Sequence, residues 1–310
     1  MNIENVTFGV EIETSIPLSL NLSVGHYHHG TPVPSAPQFN GASWKAESDC
    51  SIIAAPGCTP CEFVSPILKG EAGVLHLIEF VNWLGAIGAK VNSSCGLHVH
   101  IGVASFANDP AAVAKFVRIL SRVTSRNATA LYAQTGTPRR EQGRFCAPMD
   151  ATARREITRA CRAKRAGAVQ DSRYRLLNLT TVGSRGTVEF RCFAGTTNAT
   201  KVLLHLFSVF ALCNITAKRK SITNWDPNET LTGEQAMTRF LKARPMFSIV
   251  DVPVFHQHRQ AMIEMAFKMA RKYDEAKMGT SPNTPRARFE AAARAVGLNV
   301  TQPITAEVTA

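Results

Sequence analysis

Val6-Thr-Phe-Gly-Val-Glu-Ile-Glu13 alternates apolar and polar side chains with the two-residue period of a half-buried β-strand, and its polar face ends in two carboxylates. Cys95-Gly-Leu-His-Val-His100 repeats the pattern with two imidazoles, and Gly186-Thr-Val-Glu-Phe-Arg191 with a carboxylate and a guanidinium. Side chains two apart on a strand share a face, with their Cα atoms about 6.7 Å apart. Glu11/Glu13, His98/His100 and Glu189/Arg191 therefore each present two ionisable groups to one side. Singly, a Glu-x-Glu strand is commonly a solvated outer face, a His-x-His strand divides between metal sites and ordinary histidines, and a Glu-x-Arg strand is an ion pair worth under about 1 kcal/mol. Three such strands, flanked by apolar residues and glycines, predict one sheet face that gathers ionisable groups and is no ordinary core. Glu62, in Glu62-Phe-Val-Ser-Pro66, is a further candidate for it.

Outward from these strands, elements mix without a regular βαβ rhythm, which predicts an α+β fold with an antiparallel sheet. Short strands are expected near Trp44–Lys45 and Cys61–Ser65, a longer one over Lys90–Val103, and a hairpin over Tyr174–Val182 and Thr187–Phe193 turning at Gly183-Ser-Arg-Gly186. Apolar spacing predicts a helix over Glu71–Ile87, stopped by Gly88. Pro110 opens another that runs to about Ala133, capped by Asn108 or Asp109. Further helices are expected over Ala151–Arg165, Lys201–Lys220, Gly233–Ala243, Pro253–Lys277 and Pro285–Ala295. Residues 14–43, rich in Pro, Ser, Gly and Asn, read as a long loop carrying Gly25-His-Tyr-His-His-Gly30. Loops of that length are usually functional, so His26, His28 and His29 are candidates to line a mouth. His256 and His258 fall in a helix, where positions two apart diverge by about 200°, and so do not form a ligand pair.

At 310 residues the chain can bury a sizeable core without staples. With 45% hydrophobic and 19% charged residues it reads as globular, which excludes disordered, collagen-like and coiled-coil classes. The longest apolar run, Val202–Cys213, is too short to span a bilayer, is interrupted by His205 and Ser208, and reads as a buried helix. The acidic start of the chain does not resemble a secretory signal, and eight irregularly spaced cysteines read as reduced thiols; a cytoplasmic protein is expected. Cys58-Thr-Pro-Cys61 is the only CxxC, and without a second pair it reads as ordinary loop cysteines rather than zinc ligands. Net charge is +12, and between Arg139 and Arg165 nine basic residues face three acids. That segment reads either as a solvated helix face or as a site for an anionic partner: nucleotide phosphates, an acidic peptide or nucleic acid.

Two carboxylates about 4 Å apart repel by about 4 kcal/mol at an effective dielectric near 20. Several in one cleft must share protons, pair with cations or hold metal ions. Hard oxygen ligands with an occasional imidazole suit Mg²⁺ or Mn²⁺, whereas zinc more often comes with His and Cys ligands in a closed tetrahedron. Magnesium keeps positions for substrate phosphates, which points to a nucleoside triphosphate, and Arg191 is suited to neutralise a phosphoryl group in transfer.

Phe8-Gly-Val-Glu-Ile-Glu13, Trp44 with Asp49-Cys-Ser-Ile52, Glu62-Phe-Val-Ser-Pro-Ile-Leu68, Cys95-Gly-Leu-His-Val-His100, Arg173-Tyr174, Leu177-Asn178-Leu179 and Gly186-Thr-Val-Glu-Phe-Arg191 occur in this order. By these motifs the chain resembles the amidoligase family of the carboxylate–amine ligase superfamily, which includes glutamine synthetase and glutamate–cysteine ligase. The resemblance covers residues 6 to about 215. It implies a curved, mainly antiparallel sheet with a metal and ATP site on its concave face and helices on the other. A catalytic core is expected over residues 1–220, and residues 221–310, which gain no support from the resemblance, are expected as a helical extension packed on it. The implied reaction is ATP-dependent amide or isopeptide formation through an acyl phosphate, with Mg²⁺ or Mn²⁺. Carried over by residue, Glu11, Glu13, Glu62 and Glu189 are metal carboxylates and His98 the imidazole ligand. His100 lies nearer the nucleotide phosphates, Arg191 at the transferred γ-phosphoryl, and Arg173 and Asn178 on the nucleotide side. Asp49 steadies the incoming amine; Cys50 stands where the family commonly has Gly. Implied partners are small-molecule or peptide carboxylates and amines, without a membrane, and ring-forming relatives allow a homo-oligomer. Two rival expectations remain: a phosphotransferase using the same metal and ATP sites, and a basic nucleic-acid-binding protein. Against the last stand the lack of a nucleic-acid motif and an aromatic content of 7%.

Overall fold

A computed structural model describes residues 3–163, 172–221, 229–242 and 252–279. The helix expected over Pro285–Ala295, together with Lys164 and Arg165 of the basic segment, lies outside the described residues. Eight strands build one sheet: β1 (Thr7–Pro17), β2 (Thr31–Pro32), β3 (Lys45–Glu47), β4 (Cys58–Val64), β5 (Leu68–Lys69), β6 (Gly96–Gly102), β7 (Leu177–Asn178) and β8 (Thr187–Ala194). Their order is β2-β3-β4-β1-β6-β8-β7, with β5 paired to β1, and every pairing between these strands is antiparallel. The fold is α+β.

The two-residue period sorts the sheet's faces. Phe8, Val10 and Ile12 of β1, Phe63 of β4 and Leu97, Val99 and Ile101 of β6 are buried. They look toward helices α1 (Gly70–Ala86) and α7 (Ala199–Lys218): Phe63 meets Phe80 and Trp83 edge-on, and Phe8 meets Phe210. On β8 the pairing with β6 slips, since Phe190 lies opposite Val99 but Phe193 opposite Leu97. This extra residue is a β-bulge, and it lets Phe190 and Phe193 both serve the core although they are three apart. The helix α7 is the one described helix long and apolar enough to cross a membrane, and it is buried within the protein.

Helix α2 (Pro110–Arg126) is capped by Asp109, whose carboxylate accepts from the Ala111 and Ala112 N–H groups, and α3 (Ala128–Ala133) follows at once. The expected single helix to Ala133 is interrupted at Asn127, which leaves helical backbone angles and bonds the Val123 carbonyl through its side chain. The basic segment divides into α4 (Arg139–Gln142), which touches β8, and α5 (Ala151–Arg162), which packs on α2. The expected hairpin before β8 shrinks to β7, because the Asn178 side chain accepts from Thr180 N–H and folds the chain into the short helix α6 (Thr181–Arg185). Likewise β6 starts only at Gly96, after a turn in which Asn92 accepts from Ser94 N–H. Helices α8 (Gly233–Lys242) and α9 (Pro253–Lys277) pack on one another; both meet α3, and α9 also meets α7. Asp274 of α9 caps α8 by accepting from the Gly233 and Glu234 N–H groups.

Candidate functional site

Register assembles the site on the sheet face away from α1 and α7. Glu11 lies opposite His98, Glu13 opposite Glu62, and His100 opposite Glu189, which in turn lies opposite Asn178. His98 Nδ1 is 3.0 Å from Glu11 Oε2, 3.6 Å from Glu189 Oε1 and 3.9 Å from Glu62 Oε1, while its Nε2 is 3.5 Å from Glu13 Oε1. His100 Nε2 sits 3.2 Å from Glu11 Oε1 and 4.0 Å from Glu189 Oε1. All five expected metal ligands thus converge, around one buried imidazole. Arg191 bonds Glu189 through its guanidinium, and Asn178 Nδ2 donates to the other Glu189 oxygen at 2.6 Å.

The charges work against one another. Burial first, then the charges of Glu11, Glu13, Asp49 and Glu47, push the Glu62 carboxyl up to about 10. Burial would raise Glu11 too, but His100 and His98 outweigh it and hold Glu11 well below the ordinary range. Glu189 is also lowered: burial is offset by Arg191, His100 and His98. His100 is raised, burial being overcome by Glu11 and Glu189. Imidazole and guanidinium therefore ionise the carboxylates nearest β6 and β8, while Glu62 is left among acids.

Three groupings offer ligand atoms within 4.8 Å of one another: Glu11/His100/Glu189, Glu11/Glu62/His98 and Glu13/Asp49/Glu62. Two observations test whether a divalent cation fits. His100 Nε2 is buried and, although 3.2 Å from Glu11 Oε1, makes no hydrogen bond, and Glu62, only 6% exposed, has the His98 imidazole at 3.9 Å as its one cationic neighbour among the described residues. A buried nitrogen without a hydrogen bond calls for a partner. The donor set, mostly carboxylate oxygen with imidazole, suits Mg²⁺ or Mn²⁺.

Other expected residues fall at the rim or outside. Asp49 reaches the Glu13/Glu62 end, and its Oδ1 accepts from Ser51 N–H at 2.6 Å, so the turn forms with Cys50 exposed. Asn178 touches Glu189, and its printed contacts make it a support for that carboxylate. Arg173 does not reach the carboxylates; its guanidinium donates to Tyr27 at 2.9 Å and to Tyr174 at 3.3 Å. His28 approaches the site by its backbone, donating N–H to Glu47 Oε2 at 2.9 Å, and His26 pairs with His29.

Two residues, Glu47 and Arg185, escape the sequence reading as site components, and a third, Arg140, is foreshadowed only as part of the basic segment. Glu47 lies opposite Glu62 in the β3–β4 pairing; the signal for it is the alternation of buried Trp44 and Ala46 with Lys45 and Glu47. Arg185, on the unforeseen α6, places Nη1 3.5 Å from Glu11 Oε1. Arg140 of α4 donates to the Arg191 carbonyl at 2.7 Å and crowds Gly96, where a Cβ would stand 2.8 Å from its Nη2.

An antiparallel sheet turns one face to its helices and gathers on the other carboxylates and imidazoles in groupings that could hold a metal ion. The chain belongs to the family described as "Putative amidoligase enzyme", whose profile matches residues 4–207. Among solved structures it is similar to a bifunctional glutathione synthetase from Pasteurella multocida, at 12% identity and a TM-score of 0.37, covering 96% of this chain and 50% of that one. It is also similar to a novel glutamine synthase homolog, at 12% identity and a TM-score of 0.39, covering 93% and 70%. The chain thus spans about half the length of the first of these structures. No curated protein sequence matches it.

Proposed function

We propose that the protein is an ATP-dependent carboxylate–amine ligase, joining a small-molecule or peptide carboxylate to an amine through an acyl phosphate. One observation carries this reading: Glu11, Glu13, Glu62, His98 and Glu189 arrive from four strands at one place. On this proposal those five residues would hold Mg²⁺ or Mn²⁺, which when bound would supply positive charge to neutralise the nucleotide's phosphates. Arg191 offers a guanidinium to the transferred γ-phosphoryl while Glu189 and Asn178 fix its direction. His100 and Arg185, both beside Glu11, stand on the phosphate side. The substrate carboxylate attacks the γ-phosphorus and ADP leaves; the amine then attacks the acyl carbon and phosphate leaves. Amines arrive protonated at neutral pH, so Asp49 attracts the ammonium and accepts its proton. Arg173, with Tyr27 and Tyr174, belongs to the nucleotide side by family resemblance. Residues 1–220 form the catalytic core, with α8 and α9 as its helical extension. Eight free thiols support a reducing, cytoplasmic setting.

The test is phosphate release by the purified protein with ATP, Mg²⁺ and panels of carboxylates and amines. Release that needs both a carboxylate and an amine, and that falls at least about 100-fold in Glu189→Gln and Arg191→Ala, is the expected result. Undiminished release in either variant sinks the reading. A stable phosphorylated product formed without amine would turn it into a phosphotransferase.

A further inference from the structure

Helices α2 and α5 pack on one another and carry a cationic face that the proposed reaction leaves unused. On α5 the buried positions Ala153, Ile157 and Cys161 recur every four residues and form its packed side, which turns Arg154, Arg155, Arg159 and Arg162 to one outer side. Glu156, the one acid of α5, lies beyond the edge of that stripe, and α2 contains no acid. Arg122 of α2 acts electrostatically on Arg154 and Arg118 on Cys161, so the α2 arginines stand beside the α5 stripe. Arg155, Arg159 and Arg162 are exposed, and Arg118, Arg122 and Arg154 are half-buried. Among the described residues Arg118, Arg122, Arg155, Arg159 and Arg162 make no ion pair, while Asp150 at the start of α5 is taken by Arg175 at 2.9 Å. Burial, then Arg155 and Arg122, hold Arg154 below its ordinary value in spite of Asp150. Like charges one turn apart, as at Arg118/Arg122 and Arg155/Arg159, destabilise helices, so this face costs stability that a bound polyanion would restore.

We propose that this α2–α5 face docks an acidic segment of a peptide that supplies the carboxylate substrate. This rests on the ligase reading and deepens it by naming the substrate class: an acidic peptide rather than a lone small acid. The planar fork of arginine pairs with carboxylates through two parallel hydrogen bonds. One helical turn rises about 5.4 Å, and alternate side chains of an extended peptide stand about 6.7 Å apart, so successive acidic side chains can meet successive turns of α5. The chain leads from this face to the site within a few residues: Asp150 pairs with Arg175, Ala147 bridges to Arg175, and the Phe145 carbonyl accepts from Arg191 at 3.5 Å. A nucleic acid fits the face less well. Helix α5 has no aromatic residue, and the one on α2, Phe116, is buried and stacked on Phe106, so no ring is offered to a base.

The probe is a fluorescently labelled hexaglutamate peptide, followed by anisotropy. Wild type is expected to bind it saturably, and more weakly as salt rises. Arg155→Ala/Arg159→Ala/Arg162→Ala, which changes only exposed side chains, should weaken binding at least about tenfold. Lys69→Ala/Lys218→Ala/Lys268→Ala removes the same charge from exposed positions elsewhere and should stay within about twofold of wild type. Adding six glutamates to the N-terminus of a peptide that the protein ligates should lower its KM at least about tenfold at unchanged kcat, and the α5 variant should cancel the gain. Equal losses of binding in the two triple variants overturn the proposal, by reducing it to net charge, as do wild type without saturable binding and an unchanged KM. A hexathymidylate strand that binds more tightly than the peptide, and loses its binding in the α5 variant, overturns it in favour of a nucleic acid. Peptide binding as expected, in a protein that releases no phosphate with any carboxylate and amine, defeats the ligase reading instead and leaves the docking face standing.

Discussion

Glu62 is the residue at which the metal-free site is least at ease. Its carboxyl titrates near pH 10 in the folded protein but at the ordinary 4.5 when unfolded, because burial and the acids Glu11, Glu13, Asp49 and Glu47 disfavour its charge. Between these values the folded state holds a proton that the unfolded state has released, so stability falls as pH rises across that window. A divalent cation must displace that proton, and its stabilising effect should therefore grow with pH. Calorimetric melting at several pH values between about 6 and 9, with and without Mg²⁺ or Mn²⁺, should show a metal-induced rise in Tm that increases with pH. Glu62→Gln should flatten the pH slope of the metal-free protein and abolish most of the metal-induced rise. A rise that survives intact would remove Glu62 from the ligand set. The carboxylates, imidazoles and Arg191 were legible in the sequence because a strict two-residue period fixes which side chains share a face. Glu47 was not, because its strand has three residues and follows a Pro- and Gly-rich stretch, too short for alternation to register.

Among the elements, β3 shows how a strand that short is held in place. Trp44, just before it, is fully buried, stacks flat on Phe80 of α1 at a ring separation of 3.4 Å, and donates its indole N–H to His76 Nε2 at 3.0 Å. These contacts tie the β3 backbone, and with it Glu47, to the helix behind the sheet. Trp44→Phe keeps an aromatic ring but leaves the buried His76 nitrogen unpaired, so we expect a loss of about 1–3 kcal/mol, read from the shift of the urea unfolding midpoint. Trp44→Ala, which also opens a cavity, should cost about 3–5 kcal/mol. If the two variants were equally stable, packing rather than the hydrogen bond would be irrelevant at this joint. Helix α1 was legible almost to the residue because its apolar positions recur along one side and Gly88 ends it with φ of 75°. The elements around β7 were not: a single side-chain turn at Asn178 and a left-handed Gly186 replace the end of the hairpin's first strand with α6. That local choice puts Arg185 beside Glu11. The bulge in β8 escaped for a similar reason, since alternation cannot announce the place where it is broken, and it is there that Arg191 takes its position between two core phenylalanines.

At the scale of the whole molecule, the two edges of the sheet are joined across its charged face. The loop Gly25–Gly30 belongs to the β2–β3 edge, bridging to Glu47, whereas Arg173 leads into β7 at the far edge, with five strands between β2 and β7. Even so, the Arg173 guanidinium donates to the Tyr27 hydroxyl at 2.9 Å and lies over the Tyr174 ring, which meets Phe145 edge-on. Each end of this chain of contacts is tied to a site side chain: the His28 N–H to Glu47, and the Phe145 carbonyl to Arg191. Tyr27 and Tyr174 are both about two-fifths exposed, at 42% and 39%, so the clasp is a solvated one, and exposed polar pairs contribute at most about 1 kcal/mol. Removing it should therefore barely alter global stability while loosening what it spans. In Tyr27→Phe we expect a change of less than about 1 kcal/mol in unfolding free energy. Backbone amide exchange should nevertheless quicken at His28 and Ser48, whose N–H groups bond to Glu47 and Gly25. Arg173→Lys should reproduce that effect, because a lysine cannot both stack on Tyr174 and present a planar fork to Tyr27. Exchange mass spectrometry of the loop in the three proteins decides the matter: identical rates would mean that the two edges move independently and that the loop is held by β3 alone.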